Sequence, residues 1–142
     1  MEYQRFNNQI AVRLDRGDEI VKSILMIAEA EKIALASISG IGATDDVDVG
    51  VFNAETRAYN TFSFKGTHEI TSLTGNLTTK DAEPYLHLHI TLAGEGGKIV
   101  GGHLLRGMIS LTAEIFMTVI EGKAERIYDS ELGINTIDFP NS

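Results

Sequence analysis

The sequence predicts a single α+β domain: a largely antiparallel β-sheet with one main amphipathic helix. The chain has 142 residues, with no Pro/Ser-rich linker and no internal repeat, so one hydrophobic core is expected across residues 1–142, centred on about 3–139. One stretch, residues 19–31, carries apolar side chains at helical spacing. The remainder divides into short runs of strand character separated by turn residues.

In order along the chain, Ile10, Val12 and Leu14 alternate within residues 9–15 and predict a half-buried strand. Arg16-Gly17-Asp18 then reads as a turn, with Asp18 as the expected N-cap, rather than as an adhesion tripeptide. Ile20, Val21, Ile24, Leu25, Ile27 and Ala28 form the apolar stripe of the helix. Residues 33–39 predict a strand ending at Gly40-Ile41-Gly42, and residues 47–52 and 58–64 a hairpin. Residues 70–79 and 85–92 predict two more strands with a turn at 80–84, followed by 99–105 beyond Gly94-Glu95-Gly96-Gly97. Residues 108–120 predict a long strand, and 124–128 and 134–139 two short final elements. The long strand has an apolar face of Ile109, Leu111, Ala113, Ile115, Met117 and Val119 and a mixed opposite face, the pattern of a central strand or a subunit contact. A homo-oligomer is therefore expected.

Lys and Arg number 12 against 20 Asp and Glu, a formal charge of −8, which argues against unaided binding to nucleic-acid phosphates and leaves room for a local basic patch. With no Cys, disulfides, thiolate metal sites and Cys nucleophiles are excluded. The start of the chain lacks an apolar core behind a basic segment, and no apolar run reaches ~18 residues, so a cytoplasmic protein with no membrane partner is expected.

The chemistry-bearing pattern is His87-Leu88-His89 followed by Gly101-Gly102-His103. On a strand, residues two apart share a face, so His87 and His89 project together. His103 joins them if the intervening loop has three residues. A Gly94-Glu95-Gly96 loop sets it across from His87, and a Glu95-Gly96-Gly97 loop across from His89. Imidazoles without thiolates or an evident further ligand resemble an open site for zinc or another divalent metal, completed by water or a small anion. His68 reads as a solvated loop residue. Glu114, a carboxylate in an otherwise apolar strand, is a candidate base, ligand or support for a ligand, and Arg13 and Arg106 are candidates to orient a carboxylate or phosphate. The segment 94–99 lacks the Ser or Thr and the glycine spacing of a phosphate loop.

The order of these features resembles the plants-and-prokaryotes conserved (PPC) domain. The resemblance is carried by Val12-Arg13-Leu14, Gly17-Asp18-Glu19-Ile20, Ser37-Ile38-Ser39-Gly40-Ile41-Gly42-Ala43 and Ser72-Leu73-Thr74-Gly75-Asn76. It is carried most specifically by Pro84-Tyr85-Leu86-His87-Leu88-His89, Gly101-Gly102-His103-Leu104 and Thr112-Ala113-Glu114-Ile115. The resemblance implies a homotrimer and, for stand-alone prokaryotic members, a DNA-binding or association role. The Arg-Gly-Arg-Pro AT-hook that precedes the domain in plants does not occur in this sequence. The histidine pattern is also similar, more faintly, to acetolactate decarboxylase, which implies an alternative: a zinc-dependent lyase or hydrolase, or a sensor, acting on a small oxygenated or carboxylate metabolite.

Overall fold

Residues 1–139 are described by the computed structural model. The alternation at Ile10, Val12 and Leu14 yields strand β2 (Gln9–Asp15), with all three side chains buried. It pairs antiparallel with an exposed first strand, β1 (Glu2–Phe6), that has no buried face to impose a period. The helix α1 (Ile20–Ala30) buries Ile20, Ile24, Ile27 and Ala28 against the sheet, as the stripe predicts.

Its cap differs from expectation: Glu19, not Asp18, is the N-cap. The Glu19 carboxylate accepts from the backbone N–H of Val21 (3.2 Å) and Lys22 (2.7 Å), satisfying donors that the first turn leaves open. The longer side chain also reaches the N–H of Gly107 at 2.9 Å, tying the helix start to the sheet. Asp18 lies one residue outside, where its carboxylate accepts from the Asp15 N–H at 2.8 Å and pairs with the Met1 amine at 2.8 Å.

Beyond the helix come β3 (Ala36–Asn53), β4 (Ala58–Lys80), β5 (Glu83–Ala93), β6 (Ile99–Val119), β7 (Glu125–Asp129) and β8 (Ile134–Asp138). Three of these are longer than the sequence predicts. The runs 33–39, from Ala36 onward, and 47–52 belong to β3, 58–64 and 70–79 to β4, and 99–105 and 108–120, up to Val119, to β6. Register shifts between Gly40 and Gly42 and between Thr44 and Asp46 interrupt the two-residue period while the ladders continue across them. One shift explains Leu111. Gly42 pairs with Ala113 and Thr44 with Ile109, so β6 carries extra residues there, and Leu111 is turned out to solvent while Ile109, Ala113, Ile115 and Met117 stay buried. His68, expected in a loop, is half-buried on β4, where its Nδ1 lies 2.7 Å from the Gly66 carbonyl.

The strands run in the order β1-β2-β6-β3-β4-β7-β8, and β5 pairs with both β4 and β6. The pairs β3–β4, β4–β5, β5–β6 and β6–β3 therefore close a ring, which leaves few free edges. All ladders are antiparallel except the single β4–β7 bridge. Core side chains such as Leu73, Leu88, Ile90 and Ile115 face the helix side, so their alternate neighbours, His87 and His89 among them, occupy the opposite face. No helix among the described residues is long and apolar enough to cross a membrane.

Candidate metal centre

The β5–β6 turn decides where His103 points. Glu95–Gly97 forms a single tight turn closed by Gly94 N–H to Lys98 C=O (2.9 Å), with positive φ at Gly96 (71°) and Gly97 (74°). This is the second of the two registers open at the sequence level: His89 pairs directly with His103. That pair is also the last rung of the β5–β6 ladder. Past it, β5 stays with β4, where His87 faces Asn76, while β6 pairs with β3, where His103 faces Gly50. The strands fork, and three imidazoles gather in the opening. Close β4–β5 approach depends on Gly75, where an added Cβ would sit 1.9 Å from the His87 carbonyl oxygen.

One ligand nitrogen from each of His87, His89 and His103 lies within 4.8 Å of the others. The Nε2 atoms of His87 and His89 are 3.3 Å apart. Two nitrogens on a tetrahedral ion with metal–nitrogen bonds of ~2.0–2.1 Å stand roughly 3.3–3.4 Å apart, so this pair is already at ligating separation. His103 Nδ1 is buried with no hydrogen-bond partner. Burial, then the neighbouring His103, Arg126 and His89 charges, pushes the His87 pKa down to about 4. Burial, then His89, lowers His103 as well. Both rings are therefore neutral at neutral pH, the form that presents a lone pair to a metal. The donor set fits a divalent ion with an open coordination position.

Two clefts meet at the cluster. One, of about 180 Å³, is lined by Tyr59, Tyr85, His87, His103, Tyr128, Gly133, Ile134 and Asn135. The other, of about 440 Å³, is lined by Gly50, Val51, Phe52, Tyr59, His87, His89, Gly102, His103 and Ile134. The Tyr59 ring stacks obliquely near His103, with centroids 5.4 Å apart. Neither lining includes a carboxylate.

The sequence offered no reason to single out Arg126, yet it is the cation at this site. It is only 6% exposed. Its guanidinium donates to Thr78 Oγ1 (2.9 Å), the Asn135 carbonyl (3.0 Å) and Asn76 Oδ1 (3.0 Å), and lies over the Tyr85 ring at 5.0 Å. Its Nη2 stands 3.4 Å from His87 Nδ1. A guanidinium only donates, so it meets a lone pair there. His87 would hold an ion through Nε2 with Nδ1 protonated, in which form Nδ1 offers Arg126 no acceptor. In the sequence Arg126 is one cation in a short strand, and only the β7–β8 hairpin's position gives it a role.

The other expected site residues lie elsewhere. Arg13 pairs with Asp15 and Glu2 and sits across from Glu114, which is exposed on the outer face of β6. Clefts of about 470 and 540 Å³ flank Glu114, and neither contains a histidine of the cluster. Arg106 is held between Asp46 and Asp48.

Residues 1–121 match the family model of the Plants and Prokaryotes Conserved (PCC) domain. This chain belongs to that family. A PCC-domain fold is also what the solved structures show. A candidate DNA-binding protein from Bacteroides thetaiotaomicron is 33% identical, with 97% of this chain and 96% of that one covered, at a TM-score of 0.94. A metal-containing protein from Archaeoglobus fulgidus is 31% identical over 97% of each chain, at 0.88. A plant- and prokaryote-conserved protein from Pyrococcus horikoshii is 31% identical over 99% of this chain and 96% of that one, at 0.85. Acetolactate decarboxylase from Bacillus subtilis subspecies spizizenii, 17% identical over 92% of this chain and 61% of that one with a TM-score of 0.59, is alike in fold alone. No curated protein matches the sequence.

Proposed function

We propose that this PCC-domain protein is a homotrimer whose functional centre is a divalent metal, zinc in the first instance, held by His87, His89 and His103 with one position open to a small oxygen ligand. The carrying observation is the convergence of the three ligand nitrogens within 4.8 Å at the strand fork. The Archaeoglobus relative, itself metal-containing, supports the reading. An ion there would supply Lewis acidity. The chain's own residues orient the imidazoles, and the aromatic walls limit water. Exposed Ile41, Leu111 and Phe116 around Glu114 give the outer face an apolar surface suited to the trimer contact.

Elemental analysis of protein purified without chelator tests the centre. Stoichiometric metal is expected in the wild type and none in His103→Ala. At a hundredfold excess over Kd, zinc should add about 2.7 kcal/mol of stability to the wild type alone. A metal-free wild type that zinc does not stabilise removes the reading.

A DNA-binding role is the second reading, because relatives from Bacteroides and Ralstonia are described as candidate DNA-binding proteins. The charge of −8 and the pairing of Arg5, Arg13 and Arg106 with carboxylates weigh against it. Gel-shift titration decides: a genuine binder shifts DNA at low salt and releases it steeply as salt rises. A metal-dependent lyase or hydrolase shares the first reading's site and requires turnover of a small oxygenated substrate that His103→Ala abolishes.

A further inference from the structure

Resting on that metal reading, we propose that Tyr59 is the residue that positions His103 as a ligand, through its ring rather than its hydroxyl. The need for it arises at His103 itself. A metal-binding imidazole ordinarily has its second nitrogen held by a carboxylate, a carbonyl or water, which fixes the plane of the ring. Neither nitrogen of His103 hydrogen-bonds to a described residue, and Nδ1 is buried. His87 differs, with Nε2 3.3 Å from His89 Nε2 and Nδ1 3.4 Å from Arg126 Nη2. The orientation of the His103 ring is therefore set by packing.

Strand register gives that packing to Tyr59. His103 pairs with His89 on β5 and with Gly50 on β3, and cross-strand partners share a face. The β3 position beside His103 is thus a glycine, with no side chain for the imidazole to lean on. Tyr59 on β4 pairs with Phe52, which is two residues from Gly50 and on the same face. The Tyr59 ring reaches diagonally over the bare backbone of Gly50, where an added Cβ would lie 2.6 Å from its Cδ1. There it meets His103, with centroids 5.4 Å apart and planes inclined at 39°. The Phe52 ring packs against Tyr59 at 5.2 Å and 61°. His87 and His89 lie 5.0 and 5.5 Å from the His103 ring, so Tyr59 completes the set of rings around it. The Tyr59 hydroxyl hydrogen-bonds to no described residue, and what it offers His103 is an aromatic wall.

The test titrates metal-free protein with cobalt(II), read by calorimetry and by the visible spectrum. Tyr59 is 43% exposed, so Tyr59→Leu keeps the fold, which urea melts of the metal-free chain check. That variant should bind cobalt about tenfold or more weakly, with a spectrum moved toward that of His103→Ala. Tyr59→Phe, which keeps the ring, should restore affinity to within about threefold of the wild type. Gly50→Ala, which displaces the ring without altering a ligand, should act like Tyr59→Leu. Wild-type affinity in Tyr59→Leu, or a Tyr59→Phe chain as weak as Tyr59→Leu, would overturn the proposal. A wild type that takes up no cobalt removes the metal reading instead. NMR of the imidazole side chains in metal-free protein then decides the positioning claim. Tyr59→Leu should broaden or multiply the His103 ring signals and leave those of His87 single, and unchanged His103 signals overturn it.

Discussion

Two arginines in this molecule occupy opposite electrostatic settings. Arg106 lies in the β3–β4–β6 corner between Asp46 and Asp48, at 2.6 and 3.1 Å, where its charge helps hold the Asp46 pKa down to about 2. Arg126 lies under the histidine fork, buried, among neutral acceptors only. The first corner is electrically complete and serves the sheet. The second has no carboxylate partner for its arginine among the described residues.

The largest effect that would sharpen the contrast falls on the backbone beneath His87. Gly75→Ala forces a Cβ against the His87 carbonyl and should cost about 3 kcal/mol in a denaturant titration while lowering metal uptake. Next, Arg126→Met leaves Thr78 Oγ1, Asn76 Oδ1 and the Asn135 carbonyl short of a donor, an expected loss of about 2 kcal/mol. A variant as stable as the wild type would show that desolvation of the unpaired charge cancels its hydrogen bonds, and the contrast would break.

Between pH 6.5 and about 4, acid should act at the histidine end. His87 titrates at about 4 when folded against 6.5 ordinarily, so the unfolded chain binds more protons between those values. Metal-free protein should hold this contribution above 6.5 and lose it as pH falls toward about 4, and His87→Gln should flatten the dependence in urea melts. The smallest effect belongs to the complete corner: Arg106→Met should lower stability least of these variants in the same denaturant titration, and less still at high salt, because partly exposed pairs are screened.

Much of this was legible in the sequence. The alternation of Ile10, Val12 and Leu14 and the stripe from Ile20 to Ala28 report burial directly, and both emerge as elements with those faces inward. His87 and His89 share a face by strand geometry alone. What stayed hidden were features set by long-range register. The shift near Gly42 turns Leu111 outward against its apolar pattern, and continuous ladders join runs that local composition separates. Asp18 is the cap that composition favours, and the Gly107 N–H, far away in sequence, holds the Glu19 carboxylate at the helix start instead. Arg126 was invisible for the same reason, since nothing near it in the chain announces that β7 will pair alongside β4. Arg13 and Arg106 look equally suitable in sequence, and only the folded chain shows their carboxylates.

The tight turn at Glu95–Gly97 has a bearing on assembly order. All members of the histidine trio belong to one hairpin, and contacts of short sequence separation form early because little chain entropy is lost in closing them. An ion captured by that hairpin would clasp β5 to β6 while β3 and β4 were still seeking their register. Such a clasp would make the hairpin a template for the ring of strands.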